Sequence, residues 1–176
     1  FYAVHSPIQV TDEYYQRAPA YDDQIRRIFA GMVVAVDDAV GKVLAKLRES
    51  GLEEKTLVIF ASDNGAQSTF DVAQDNNAPL IGHKRNLYEG GIRVPFAMQW
   101  KGRIPAMGDY PEPISSLDIF PTALAAAGVA EVAEYELDGV DLLPFLKGDK
   151  LGSPHEFLFW RSGPNASVRH GQWKLL

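Results

Sequence analysis

Asp63 and Asn64 are the residues of this chain whose types and position best suit metal chemistry. The apolar run 57–61 precedes them and Gly65 follows. A short apolar run bounded by a turn is typical of a strand buried on both faces, and in open α/β sheets ligands bind beyond the carboxyl ends of such strands. Carboxylate and amide oxygens are the donors that Ca²⁺ and Mg²⁺ prefer. The sequence therefore predicts a divalent-metal site here, with an ordinary Asp-Asn-Gly turn as the alternative.

Lys84 lies in a segment, 82–95, that is dense in glycine and basic residues. Lys84, Arg85 and Arg93, together with His83, place three cations and a histidine within eleven residues. The chain as a whole has a net charge of −6, so this local positive field stands out. Such a field suits the anion of a phosphate or sulfate ester. The alternative is a solvated basic loop without a ligand.

His5 follows a short apolar start, residues 1–4, that is typical of a strand, and Pro7 ends that run. A histidine at a strand end can bind an oxyanion or transfer a proton, because its pKa lies near neutrality. The alternative is a partly exposed turn residue. The remaining histidines lack metal-ligand spacing and are interpreted as surface or loop residues: His83, His155 and His170.

The elements that must position these residues begin with one long helix. Apolar residues recur at spacings of three and four from Ile25 to Leu47, which is the pattern of a helix with one buried face. Asp22 and Asp23 stand at its start and Gly51 at its end, as helix termini favour. We expect this helix to cover the sheet that contains the apolar run before Asp63. A helix followed by a buried strand predicts an α/β fold.

Shorter patterns follow along the chain. Asp118 is predicted to cap a helix that ends at Gly128. His170 and Gly171 separate two short apolar runs, which is a hairpin signal. The composition changes after about residue 150. The remaining predicted elements are a loop or a short helical turn within 11–22, a strand over 94–100, a helical turn over 142–146, a strand over 157–161 and hairpin strands over 166–169 and 172–176.

Composition excludes several classes of protein. The 176 residues are 46% hydrophobic and 23% charged, as in a globular protein with a sizeable core. The acidic balance argues against general nucleic-acid binding. No apolar run approaches the roughly 20 residues of a membrane span, and no signal peptide is visible. The absence of cysteine excludes disulfides and thiolate zinc sites.

Several motifs, taken in order, give the chain a family resemblance. It resembles the type I, formylglycine-dependent sulfatases of the alkaline-phosphatase-like superfamily, and within them the arylsulfatase B (N-acetylgalactosamine-4-sulfatase) group. The resemblance spans nearly the whole chain. Its most specific parts are Ser62-Asp63-Asn64-Gly65 and Lys84 with Tyr88-Glu89-Gly90-Gly91-Ile92-Arg93-Val94-Pro95. The further motifs are 4–10, 30–33, 37–41, 117–122, 137–141, 160–161 and 173–175.

The resemblance implies roles for four residues. Asp63 and Asn64 correspond to ligands of the family's Ca²⁺, for which Mg²⁺ is an alternative. Lys84 corresponds to the lysine that contacts the sulfate. His5 corresponds to the histidine that contacts the sulfate and protonates the leaving alcohol. The implied substrate is a sulfate ester, carried by a sulfated carbohydrate, and the implied location is periplasmic, secreted or lysosomal.

The chain also departs from the family pattern. The family's formylglycine is made from a Cys or Ser in a Cys/Ser-x-Pro/Ala-x-Arg motif, which this sequence lacks. We therefore interpret the chain as a central-to-C-terminal fragment, inactive alone. Residues 1–150 are expected to form the C-terminal half of an α/β catalytic domain, with helices around a mixed sheet. Residues 151–176 are expected to begin a small antiparallel C-terminal subdomain.

Two alternatives remain open at this point. One is a metal-dependent phosphatase or phosphodiesterase of the same superfamily, and the other is a truncated product without catalytic activity. A fragment that lacks part of its sheet exposes strand edges and apolar surface, so we expect it to oligomerise.

Overall fold

The computed structural model describes residues 2–67, 77–106, 108–129 and 136–176. The chain divides into two compact units, Phe1–Glu53 and Glu54–Leu176, and each is described by itself. None of the described helices is long and apolar enough to cross a bilayer.

The first unit is a pair of helices, α1 (Asp12–Arg17) and α2 (Gln24–Glu49). The Asp23 side chain caps α2 by accepting a hydrogen bond from the Arg26 N–H at 3.0 Å, and Gly51 ends the helix with a φ of +65°. The prediction of the long helix is therefore confirmed, and of the two alternatives for residues 11–22 the structure shows the short helix rather than a loop. The prediction that α2 covers the strand before Asp63 stays a prediction.

The start of the first unit differs from the sequence-based expectation. Residues 2–10 form turns and bends, and no strand occurs among them, so the predicted strand is wrong. Pro7 has no N–H to donate to a sheet, which disfavours a continued strand here. Helix α1 packs on α2 where Gly31 lies against the backbone of Tyr14, since a Cβ on Gly31 would lie 3.1 Å from the Tyr14 carbonyl oxygen.

The second unit begins with a two-stranded antiparallel sheet. Strand β1 (Val58–Ala61) pairs with β2 (Phe96–Gln99), with Val58 opposite Gln99. Both predicted strands are thus present. The expectation that β1 is buried on both faces is wrong, because Phe60 is 39% exposed. In the described part of the chain β1 has a partner on one edge alone, and a short apolar run does not by itself reveal how many neighbours cover it.

Three short helices and a 3₁₀ turn are described in the second unit after β1, the first helix between β1 and β2 and the rest between β2 and the C-terminal sheet. The helices are α3 (Glu89–Ile92), α4 (Ile119–Ala126) and α5 (Leu143–Leu146), and the turn is Ser116–Asp118. The predicted helix after Asp118 and the predicted helical turn over 142–146 are both confirmed. Asp118 stands at the N-cap position of α4, but its side chain accepts no hydrogen bond from the N–H groups of that helix, so the predicted side-chain cap is wrong. Its carboxylate accepts from the Ser115 N–H at 2.8 Å instead.

The chain ends in a three-stranded antiparallel sheet, in the order β3 (Phe157–Ser162), β4 (Asn165–His170) and β5 (Trp173–Leu175). The predicted strand and the hairpin around Gly171 are confirmed. The register places Phe157 opposite His170, and the two rings stack with their centroids 4.7 Å apart. The domain boundary expected near residue 150 stays a prediction.

Candidate active site

The Asp63-Asn64 turn is fixed to the α3 segment by backbone contacts. The Gly65 N–H donates to the Gly91 carbonyl oxygen at 3.0 Å, and the Ser62 hydroxyl donates to the Asn64 carbonyl oxygen at 3.0 Å. A Cβ on Gly65 would lie 1.8 Å from the Gly90 carbonyl oxygen, so only glycine fits at this close approach. The turn is therefore held in one position rather than free in solvent.

The Lys84 loop is fixed to the same turn. The Lys84 N–H donates to the carbonyl oxygen of Ala66 at 2.8 Å. Within the loop, the Asn86 side-chain oxygen accepts from the His83 N–H at 2.8 Å. A Cβ on Gly91 would lie 2.2 Å from the Asn86 carbonyl oxygen, which again requires glycine. The two segments that carry the predicted metal ligands and the predicted sulfate ligand thus form one hydrogen-bonded backbone unit.

An open groove of about 1710 Å³ lies beside the Asp63 turn. Its lining includes Asp63, Asn64, Arg85, Arg93 and Trp160, while Lys84 is not among the described residues that line it. Among the described residues, neither the Asp63 carboxylate nor the Asn64 amide is hydrogen-bonded by another side chain. Both groups thus remain available as oxygen donors at the edge of the groove.

The donor set fits part of a site for a hard divalent cation. Asp63 and Asn64 supply oxygen ligands, and Ca²⁺ takes about six to eight of them. No cluster of three or more His, Cys, Asp or Glu residues that could hold a metal occurs within the described ranges. These two residues can therefore hold a metal only together with donors from elsewhere.

His5 lies in the first unit, in the turn region before α1. Its Nδ1 is 3.2 Å from the Ser6 carbonyl oxygen, and its ring lies 5.5 Å from the Tyr2 ring. The side chain is exposed, in line with a turn position. Because the two units are described separately, the expected grouping of His5 with Lys84 stays a prediction.

Glu89 connects the Lys84 loop to the C-terminal sheet, and sequence reasoning did not find its partners. Its carboxylate accepts from Lys174 Nζ at 2.9 Å and from Arg169 at 3.3 Å. Lys174 Nζ also donates to the Leu87 carbonyl oxygen at 2.5 Å. Partial burial acts to raise the pKa of Glu89, but the hydrogen bond and charge of Lys174, with the charges of Arg169 and Arg93, hold that pKa below its usual range.

Asp118 and His155 form a second polar centre. Asp118 is fully buried and His155 Nε2 lies 2.9 Å from both of its carboxylate oxygens. The Val140 N–H donates to the same carboxylate at 2.9 Å. His155 lies in a loop before β3, as one of the two interpretations expected, but its side chain is only 9% exposed, so it is not a surface residue. This centre holds the segment after Gly139 in place.

Comparisons with known proteins assign the family. The sulfatase family model matches residues 1–129. An uncharacterised sulfatase of Escherichia coli (strain K12), YdeN, is 37% identical over 146 residues, covering 83% of this chain and 26% of the relative. The N-acetylgalactosamine-6-sulfatase of Canis lupus familiaris is 34% identical over 173 residues, covering 98% of this chain and 32% of the relative.

Solved structures are also similar to this chain. The crystal structure of Ps i-CgsB has a TM-score of 0.88 with 34% identity, over 98% of this chain and 38% of that one. The same protein in complex with k-i-k-neocarrahexaose gives a TM-score of 0.86.

The chain therefore belongs to the sulfatase family, and the predictions of that family and of its α/β fold class are confirmed. It spans about a third or less of the length of the curated relatives it matches. The likeness to the arylsulfatase B group in particular stays a prediction.

Proposed function

We propose that this chain is part of an enzyme that hydrolyses a sulfate ester on a carbohydrate. The observation that carries the proposal is the hydrogen-bonded unit that joins the Asp63 turn, through Gly65 and Ala66, to Gly91 and Lys84. Such a unit suits a site that must hold a cation and an anion at fixed separation, because catalytic groups misplaced by about 1 Å lose much of their effect.

Each residue has a physical task in the proposed reaction. Asp63 and Asn64 would help to hold Ca²⁺, or Mg²⁺, which supplies charge for polarising a sulfuryl oxygen when bound. Lys84 would offset the negative charge of the sulfate oxygens. His5 would donate a proton to the leaving alcohol, because an alkoxide departs slowly without one.

The substrate class is inferred from the relatives. One is an N-acetylgalactosamine-6-sulfatase, and another, Ps i-CgsB, has a crystal structure in complex with k-i-k-neocarrahexaose. We infer a sulfated glycan as the substrate of the whole protein, and a periplasmic, secreted or lysosomal location by the same resemblance.

The nucleophile is expected outside these 176 residues, since the chain lacks cysteine and any serine in the formylglycine motif. The 176-residue chain by itself should show no turnover of an aryl sulfate. Turnover by this chain alone would contradict the assignment of the nucleophile.

The decisive experiment uses the full-length protein that contains this chain. Asp63→Ala is expected to abolish Ca²⁺ retention in metal analysis, and Lys84→Ala to lower kcat/KM for an aryl sulfate by about 100-fold, a typical effect of removing one charge-stabilising group. Two exposed residues outside the groove, Asp149 and Lys147, provide matched controls as Asp149→Ala and Lys147→Ala.

A parallel assay with an aryl phosphate separates the two hydrolase chemistries. Faster hydrolysis of the phosphate than of the sulfate by the unmodified protein would favour a phosphatase or phosphodiesterase instead. Unchanged metal content in Asp63→Ala would refute the metal assignment.

A further inference from the structure

Arg85 occupies a backbone position that normally belongs to glycine. Residues 83–86 form a turn in which the Asn86 N–H donates to the His83 carbonyl oxygen at 3.1 Å. Arg85, the third residue of this turn, has a φ of +81°, while Lys84 before it keeps a negative φ. This is the pattern of a type II turn, which favours Gly or Asn at the third position. Arginine there strains the backbone, and such strain concentrates at functional sites.

The surroundings of Arg85 hold it in this conformation. The Ser162 hydroxyl at the end of β3 contacts the Arg85 carbonyl oxygen at 3.4 Å. The Asn86 amide oxygen fixes the turn from inside through the His83 N–H. The C-terminal sheet thus supports the turn on one side, while the arginine side chain is left on the exposed side.

The guanidinium of Arg85 has the setting of an anion ligand. Arg85 lines the same groove as Asp63 and Asn64 and directly follows Lys84. Among the described residues it has no carboxylate partner, although the chain is acidic overall. Glu89, the acidic residue nearest in sequence, is already engaged by Lys174 and Arg169. A planar guanidinium without a carboxylate partner is suited to bidentate contact with a sulfate or a carboxylate.

We propose that Arg85 is a specificity-determining residue that binds a second anionic group on a polyanionic carbohydrate, beside the sulfate that is hydrolysed. The inference rests on the proposed function, in which Lys84 contacts the reacting sulfate. The second group is a sulfate or a uronic carboxylate, both of which present paired oxygens to a guanidinium. Arg85 therefore selects glycans with clustered negative charge over singly sulfated ones.

The test compares disaccharide substrates in the full-length protein. Arg85→Gln is expected to lower kcat/KM for a disulfated disaccharide by about 10- to 100-fold, the effect of losing a charge-assisted contact, and to leave the monosulfated one within about 2-fold. Arg85→Lys should keep part of the selectivity, because lysine retains the charge without the planar fork. Arg103→Gln is the control, since Arg103 is exposed and lies over the Trp100 ring.

Arg85→Gly separates function from folding. Glycine relieves the positive φ, so this variant should unfold at a higher temperature while it loses the same selectivity as Arg85→Gln. A disaccharide with a uronic carboxylate in place of the second sulfate identifies which anion is preferred. Equal losses on the monosulfated and disulfated substrates would overturn the proposal.

A binding measurement keeps the outcome independent of turnover. Titration calorimetry of the reaction product, which retains the second anionic group, against the full-length protein should show about 10-fold weaker binding for Arg85→Gln. Equal affinity in the variant and the unmodified protein, or no measurable binding by either, would overturn the role of Arg85. Absence of sulfate hydrolysis by the unmodified full-length protein would instead refute the proposed function.

Discussion

Neutralising Glu89 is expected to destabilise the second unit measurably. Its side chain is 29% exposed and that of its partner Lys174 is 13% exposed, so the ion pair lies between the surface and the interior. Exposed pairs contribute about 0–1 kcal/mol, and breaking a fully buried pair costs about 3–5 kcal/mol. Glu89→Gln leaves Lys174 and Arg169 without a carboxylate while keeping an amide oxygen. We therefore expect a loss of about 2 kcal/mol in the free energy of unfolding at pH 7.

The change can be read from tryptophan fluorescence during thermal unfolding. All three tryptophans, Trp100, Trp160 and Trp173, lie in the second unit, so their signal reports its unfolding. For a chain of this size, a loss of about 2 kcal/mol corresponds to a fall in Tm of about 4–8 °C. Glu156→Gln, an exposed residue of the same unit, is the control and should change Tm by less than about 2 °C.

The pH dependence gives a second, independent check. Because the pKa of Glu89 is held below its ordinary value of 4.5, its ionisation contributes stability that is complete above that pH and is lost as the pH falls further. The difference in stability between the unmodified chain and Glu89→Gln should therefore shrink below pH 4.5. A change in Tm under about 2 °C at pH 7, or a difference that persists at low pH, would refute this account of the ion pair.

Three further predictions test the remaining structural assignments. Gly91→Ala should abolish folding of the second unit or lower its stability by more than about 3 kcal/mol, because the new methyl group would lie 2.2 and 2.5 Å from the Asn86 and His83 carbonyl oxygens. The control is Gly41→Ala in the middle of α2, where the new methyl group has nothing within 4 Å, and this variant should slightly stabilise the protein. Asp118→Ala should cost about 3 kcal/mol or more in denaturant unfolding, because it leaves His155 and the Val140 N–H unpaired in a buried site, and a loss under about 1 kcal/mol would contradict this. The isolated chain should form oligomers in light scattering because of its exposed strand edges and apolar side chains, including Phe159 and Trp173; a clean monomer would count against that expectation.

Local features of the fold could be predicted from the sequence because their causes lie within a few residues. Helix α2 follows from its apolar spacing and the Asp23 cap, and the C-terminal hairpin follows from two β-rich runs around Gly171. The burial of β1 could not be predicted in the same way. An apolar run has the same appearance whether one neighbour or two cover it, and here Phe60 remains exposed.

In the candidate site, too, some features could be predicted from the sequence and others could not. Its residues Asp63, Asn64 and Lys84 could be proposed from their types and from family motifs. The contacts that position them could not, because Glu89 reaches partners 80 and 85 residues away and Asp118 reaches His155 across 37 residues. Side-chain pairing at such separations leaves no periodic pattern in a single sequence.

The contact between Lys174 and the Leu87 carbonyl oxygen has a consequence for how the protein is made. The two residues are 87 positions apart. During synthesis the turn bearing Lys84 leaves the ribosome long before the strand that supplies Lys174, at roughly 5–20 residues per second. Full support of the Lys84 turn must therefore wait for β5. An mRNA truncated before the Lys174 codon would yield a nascent chain that contains the residues of this turn but lacks the hydrogen bond from Lys174.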